Sequence, residues 1–410
     1  MDTNKKIKNV VIAGGGTAGW MAAAAMSKLL GDTINVTLVE SDLIPTIGVG
    51  EATIPTLHLF HKLLGINEKD VMAATNATFK LGISFENWRD KGKDYIHSFG
   101  FLGPDCWACG FQHFWLKGLQ KGLVSQIGDY VPEHLGSREG KFAVMAKQDL
   151  NHAYHLDAGL YAKFLRGVAE KHGGKRVEGT IEEVLLNPSD GYITGLKLGN
   201  GQTVEGDLFI DCTGFKALLI EQTLHAGFDD WSHYLPCNSA IAVQTESVGT
   251  PVSYTRSIAR ESGWQWRIPL QNRTGNGLVF CDKYMTDQEA IDTLLQNVEG
   301  KLLNEPKVIK YTTGFRRKQW VKNCVAAGLS AGFIEPLEST GIHLFQKAVV
   351  RLLQLFPQNG FNQADIDEYN SQSMEEALNI RDFIIMHYHV TEREDSKFWR
   401  YCKNMPIPDS

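Results

Sequence analysis

The sequence predicts an α/β fold: a Rossmann-type nucleotide-binding module interleaved with an antiparallel β-sheet and followed by C-terminal helices. Three observations predict it. A strand, glycine turn, helix and second strand fill residues 8–40; β-patterned segments broken by turn residues run through 176–210 and 239–282; helical periodicity takes over from 341. A length of 410 residues allows two or three units at about 150 residues each, or one large α/β body. Such a chain buries a sizeable core without disulfides or structural metals. The net charge is −6 and no basic run stands out, which argues against a nucleic-acid binder. Seven cysteines, an odd number in a long chain, read as reduced thiols. No apolar run approaches the ~18 residues of a membrane span, and the run at residues 10–13 is too short for a signal peptide. A soluble, cytoplasmic enzyme is the expectation.

The first unit carries the strongest signal. Residues 10–13 form a buried strand and Trp20 to Met26 a helix of strong helix formers. Between them lies Gly14-Gly15-Gly16-Thr17-Ala18-Gly19, a G-x-G-x-x-G turn. A second strand over residues 35–39 ends in Glu40, about 20 residues on, where a carboxylate meets a ribose hydroxyl. The glycines let backbone N–H groups approach a pyrophosphate at the positive end of the helix. Two further strands run into small-residue turns, 206–214 with Asp211 and Gly214, and 324–332 with Gly328 and Gly332. Three such turns in one chain favour FAD over NAD.

Residues 150–172 fit a helical period. Turns are expected at residues 188–191 and at Asn200-Gly201, the latter a hairpin signal. Ile342, Phe345, Val349 and Leu352 make an apolar helical stripe from 341, and another helix is expected over 373–389. Residues 1–340 are expected to form the core and 341–410 a C-terminal helical segment.

Several segments together resemble the flavin-dependent tryptophan halogenases, relatives of the flavin monooxygenases. They are the glycine turn with Trp20, G-V-G-E-A-T-I-P at 48–55, K-L-G-I-S-F at 80–85, D-C-T-G-F at 211–215, W-Q-W-R-I-P at 264–269 and E-P-L-E-S-T-G at 335–341. W-x-W-x-I-P sets these halogenases apart from the monooxygenases. The resemblance covers nearly the whole chain, including Phe398-Trp399-Arg400. It implies that a separate reductase supplies reduced FAD, which with oxygen and chloride or bromide yields hypohalous acid. That species reaches a lysine, which holds or activates it beside an electron-rich arene, and a glutamate assists the substitution.

On this resemblance Lys80 and Glu338 are catalytic. Gly14, Gly16, Thr17, Ala18, Gly19, Glu40, Gly48, Ala52, Asp211, Gly328 and Ile342 hold the cofactor. Thr340 and Gly341 seat the halide, His97 and Phe99 bind substrate, and Trp264, Trp266, Ile268 and Pro269 keep bulky molecules from the flavin. No metal site is expected. Alternation along 78–85 directs Lys80 to the face of Thr78, Gly82 and Ser84, away from Phe79, Leu81, Ile83 and Phe85. The competing reading is an ordinary solvated lysine. Partial desolvation is expected to raise the basicity of Glu338, and Glu335 is its rival. Ser339 and Thr340 also suit a plain helix N-cap.

His387-Tyr388-His389 mimics a metal cluster but lies in an apolar helix-like stretch. Cys106 and Cys109 form a lone C-x-x-C and read as incidental thiols. Family members typically continue beyond the last residue, so an open pocket or a truncated form is expected, with free tryptophan in doubt as substrate. An aromatic hydroxylase and a non-catalytic FAD-binding protein are the competing functions. The partners expected are a small aromatic substrate, a flavin reductase and a second copy of the chain in a homodimer.

Overall fold

The computed structural model describes residues 6–44, 50–143 and 150–410. Gly48, assigned to the cofactor, lies outside them. Strand Asn9–Ala13 pairs in parallel with Asn35–Glu40 on one side and Leu208–Asp211 on the other. Lys175–Glu178 and Cys324–Ala326 extend this sheet at either end, and Trp320–Val321 adds an antiparallel edge. The centre of the sheet is apolar because parallel strands are covered on both faces. Helix Thr17–Leu30 supplies one cover, with every residue from Ala18 to Ser27 buried.

Register explains why three distant turns read alike. Ala13 pairs with Asp211, and Asp211 with Ala326, so the three strands end side by side and their turns share one edge of the sheet. Gly14 adopts φ +105°, where a Cβ would fall 2.2 Å from the Cys212 carbonyl oxygen. Only glycine permits both the conformation and the approach.

The interleaved sheet has seven strands, in the order Lys307–Lys310, Ser239–Thr245, Thr274–Phe280, Gly263–Pro269, Tyr254–Arg260, Gly82–Glu86 and Asp94–Ser98. All pairs are antiparallel except Tyr254–Arg260 with Gly82–Glu86. The Asn200-Gly201 hairpin forms as expected, with Gly201 at φ +83°. A third sheet joins Gly50–Ala52, Ala153–Asp157 and Thr78–Lys80.

Three expectations need correction. The stretch 78–85 is two strands, not one: at Leu81 the chain leaves Ala153–Asp157 and joins Tyr254–Arg260. Both faces of the second strand are buried from Gly82 to Phe85, so alternation there could not mark an exposed side. Helical periodicity at 150–172 hides a strand up to Asp157. That carboxylate accepts from Leu160 N at 2.9 Å and caps helix Ala158–Lys171. The helix expected over 373–389 starts ten residues earlier and spans Gln363–His389, because its polar first turns carry little apolar signal.

Helices Gly341–Gln354, Gln363–His389 and Lys397–Asn404 complete the chain. Trp399, fully buried, meets Trp88 at 5.5 Å and Tyr388 at 6.0 Å between ring centroids. This aromatic cluster fastens the last two helices to the seven-stranded sheet. Among the described residues no helix is long and apolar enough to cross a membrane.

Asp211, assigned to the cofactor, is wholly buried, and its carboxylate is engaged by the chain itself. It accepts from Thr213 N and Oγ1 and from the amides of Leu219 and Ile220, all at 2.7–2.9 Å. Asp211→Ala strands these donors and is expected to cost about 3 kcal/mol, read from urea unfolding. A loss under about 1 kcal/mol would refute the staple role.

Candidate active site

Lys80 ends its short strand with no exposed surface. Its Nζ donates to the Thr53 carbonyl at 2.9 Å and to Ser339 Oγ at 2.7 Å, and it stands 5.0 Å from the centroid of the Phe99 ring. Burial lowers its pKa to about 7, against the opposing pull of the Glu338 charge. The solvated-lysine reading is thereby excluded.

Two residues before the helix, Glu338 is also buried. His97 Nδ1 lies 2.9 Å from one carboxylate oxygen, and His387 Nε2 stands 2.7 Å from the other. Burial alone raises its pKa, but the two imidazoles outweigh burial and hold the carboxyl below its ordinary value. The expected gain in basicity is therefore overturned: desolvation is present, but the histidines dominate it. The same contact raises the pKa of His97, against burial and the Lys80 charge.

Ser339 joins the two catalytic candidates. It sits at φ +61°, a region that non-glycine residues rarely occupy. That conformation aims its hydroxyl at Lys80 while Glu338 next to it faces the histidines. Thr340 takes the N-cap position of helix Gly341–Gln354 with no side-chain capping bond. The plain N-cap reading fails, since its backbone is already helical rather than extended and Oγ1 remains buried without a partner. A Cβ at Gly341 would meet no atom within 4 Å. An orphaned hydroxyl, an open glycine and an uncapped helix start together fit a small anion.

Glu335 belongs to different surroundings. Its Oε2 accepts from Trp264 Nε1 at 2.7 Å and Tyr388 OH at 2.6 Å, while Oε1 is unpartnered, and burial raises its pKa to about 7. Two carboxylates three residues apart are thus pushed in opposite directions, and only Glu338 adjoins the group that binds Lys80. Trp264 and Trp266 are buried 6.2 Å apart on one face of strand Gly263–Pro269. Trp266 lies so close over Gly277 that a Cβ there would fall 1.9 Å from its ring. The strand ends on the lysine side, where Thr78 Oγ1 donates to the Pro269 carbonyl at 2.7 Å. Ile268 packs against Gly50.

At the cofactor edge, helix Thr17–Leu30 has no side-chain cap and no acid in its first turn. A Cβ on Gly16 would meet nothing within 4 Å, whereas one on Gly15 would fall 1.5 Å from Glu40 Oε2. Glu40 accepts from Arg176 Nε at 2.6 Å and from Trp20 Nε1 at 3.3 Å, which leaves lone pairs for a ribose hydroxyl. Gly328 abuts Ala18, and Phe345 lies alongside it. Ala52 and Ile342 are buried. These residues fit a dinucleotide: open amides, a carboxylate at the second strand and small residues at each approach.

Reading the sequence missed His387 as a partner of Glu338, and Tyr95, whose hydroxyl reaches His387 Nδ1 at 3.3 Å. The available signal was a histidine in an apolar helix, which is costly unless paired. Thr53, which accepts from Lys80, lay in the 48–55 motif without an assigned role. Cys106 and Cys109 are free thiols whose backbones pair in an isolated bridge.

Lys80 has a folded pKa below its unfolded value, so its charge costs stability below about pH 7 and the cost fades as pH rises toward its ordinary range. Lys80→Met should therefore raise the urea midpoint more at pH 6 than at pH 9. An equal gain at both would contradict the burial of an ionisable amine.

The profile of the tryptophan halogenase family matches residues 9–410. Tryptophan 6-halogenase ThaL of Streptomyces albogriseolus is 36% identical, over 99% of this chain and 81% of that protein. Among solved structures, Xcc4156, a flavin-dependent halogenase from Xanthomonas campestris, is 55% identical with a TM-score of 0.97, covering 99% of this chain and 82% of that one. BrvH, a flavin-dependent halogenase from Brevundimonas sp. BAL3, is 46% identical with a TM-score of 0.94 over 98% and 83%. With its flavin-type module, buried amine and matching profile, the chain belongs to the tryptophan halogenase family.

Proposed function

We propose that this chain halogenates an electron-rich arene, tryptophan or a related indole, with chloride or bromide, drawing on reduced FAD delivered by a separate flavin reductase. The observation that carries the site assignment is the buried Lys80 amine bonded to Ser339, next to a carboxylate gripped by two imidazoles. Reduced flavin, when bound, supplies with dioxygen the oxidising equivalents that turn a halide into an electrophilic halogen. The uncapped helix start with Gly14, Gly16, Thr17, Ala18 and Gly19, together with Glu40, Ala52, Gly328 and Ile342, would hold it. Thr340 and Gly341 would seat the halide.

An amine poised near neutrality serves in both forms. As free base, Nζ–H reacts with hypohalous acid to give Nζ–X and water; as ammonium, it donates a hydrogen bond to the oxidant oxygen. Either form presents the halogen beside the arene. Glu338 stays ionised between His97 and His387 and stabilises positive charge developing on the ring. His97, whose side chain is 44% exposed, and Phe99 would offer aromatic faces for a flat substrate. Trp264 and Trp266, with Ile268 and Pro269, would wall the arene off from the flavin, which argues against a hydroxylase. In this reading residues 1–340 carry the chemistry and 341–410 close it with His387 and Tyr388.

Incubation with a flavin reductase, NADH, FAD, bromide and a panel of arenes should give monobrominated indoles, identified by their isotope doublet. Lys80→Ala should abolish the product while flavin binding and peroxide release persist; surviving product removes Lys80 from the mechanism. Glu338→Gln should lower kcat about 10²-fold with the halide KM unchanged. Thr340→Val should instead raise the halide KM, and an unchanged value would locate the anion elsewhere.

A further inference from the structure

A second cluster of ligating side chains lies behind the lysine strand. Phe79 pairs with Tyr154 across the three-stranded sheet, so both point to the face opposite Lys80. There His58, from helix Leu57–Leu63, Glu68, the first residue of helix Glu68–Ala74, and His152, just before strand Ala153–Asp157, converge around the Tyr154 hydroxyl. One ligand atom from each of the three lies within 4.8 Å of the others.

The hydrogen bonds fix the tautomers. His58 Nε2 lies 2.7 Å from the His152 carbonyl, and His152 Nδ1 lies 2.9 Å from the Leu150 carbonyl. A carbonyl only accepts, so both nitrogens carry hydrogen. In neutral rings, His58 Nδ1 and His152 Nε2 are then bare lone pairs, and both are turned inward. His58 Nδ1 is 2.9 Å from Tyr154 Oη, Tyr154 Oη is 2.7 Å from Glu68 Oε1, and His152 Nε2 is 2.8 Å from the same Oε1. Three close contacts therefore have one hydrogen among them, that of Tyr154. The cluster lacks two positive charges: two protons or one divalent cation. Two imidazolium rings would have to sit 4.5 Å apart between centroids. Burial and the neighbouring His152 both lower the pKa of His58, outweighing its bond to the His152 carbonyl and the charge of Glu68.

We propose that His58 Nδ1, His152 Nε2 and Glu68 Oε1 bind a divalent transition-metal ion of the zinc class. Two imidazoles and a carboxylate are a donor set that Zn²⁺ accepts with a fourth position left to water. Each imidazole donates its other N–H to a backbone carbonyl, the outer-shell bond that orients metal-bound histidines. Tetrahedral ligands stand about 3.4 Å apart at ordinary zinc bond lengths, so the 2.8 Å contact between His152 and Glu68 opens by several tenths of an ångström and Tyr154 keeps its hydrogen on Glu68. Glu68 is one-third exposed, which gives the ion access from solvent. The ion would cross-link two helices to strand Ala153–Asp157. That strand's Tyr154 carbonyl accepts from Thr53, and Thr53 in turn accepts from Lys80.

The test uses the full chain, stripped with a chelator, dialysed and titrated with Co²⁺ alone and then Zn²⁺ alone. One Co²⁺ per chain with the visible bands of tetrahedral coordination is expected, displaced by Zn²⁺, with a Zn²⁺-dependent rise in Tm. Glu68→Gln and His152→Gln should each weaken Zn²⁺ at least about tenfold and abolish the Tm response. Tyr154→Phe, which retains all three ligands, should still bind. Cys106→Ser with Cys109→Ser removes the free thiols of the C-x-x-C and should leave binding intact. Failure of the wild-type chain to take up a stoichiometric ion overturns the proposal. So does wild-type affinity in Glu68→Gln, or loss of binding with the cysteines. A Tm that rises on acidification through the histidine range and ignores Zn²⁺ means that protons balance the cluster, and overturns it equally.

Discussion

An amine without access to water must find its acceptors in the protein, and much of the site follows from that requirement at Lys80. Its two acceptors come from distant parts of the chain, the Thr53 carbonyl and the Ser339 hydroxyl. Satisfying it therefore draws the 48–55 motif, the lysine strand and the turn before helix Gly341–Gln354 into one place. Ser339 accepts a left-handed backbone to make the bond, a local cost of order 1 kcal/mol or more. The aromatic cluster around Trp88, Tyr388 and Trp399 holds the surrounding elements rigid enough to keep it there.

The two glutamates of the 335–341 segment show how environment assigns roles to one residue type. Glu335 faces indole and phenol donors in the core and is pushed toward neutrality; Glu338 faces imidazoles and is held ionised. A neutral acid can brace Trp264 and Tyr388 without importing a charge into the core. An ionised one beside a reacting ring lowers the energy of cationic states. Trp264 thus reports on Glu335, and the histidines on Glu338.

The cofactor edge was readable in the sequence because its signals are local: glycine spacing, strand periodicity and a terminal acid all fall within residues 8–40. The convergence of the turns at 211–214 and 326–328 was legible from their likeness, and register confirms it. What stayed hidden was long-range. Nothing near Glu338 announces His97 or His387, so the direction of its pKa could not be read. The burial of both faces from Gly82 to Phe85 depends on a parallel partner 172 residues away at Tyr254, which makes alternation uninformative there. The four bonds that Asp211 accepts within the chain were equally hidden, because two of their donors lie eight and nine residues further on, at Leu219 and Ile220.

The bond from Lys80 to Ser339 closes a loop of 259 residues, and Tyr95 meets His387 across 292. Loop-closure entropy for such spans weighs against early formation. During vectorial synthesis Lys80 stays apart from Glu338 and Ser339 until those residues emerge, and Glu338 stays apart from His387 until helix Gln363–His389 follows. The surroundings of Lys80 are thus among the last parts of the molecule to assemble, after the nucleotide edge, whose first strand–helix–strand unit is local, has had time to form.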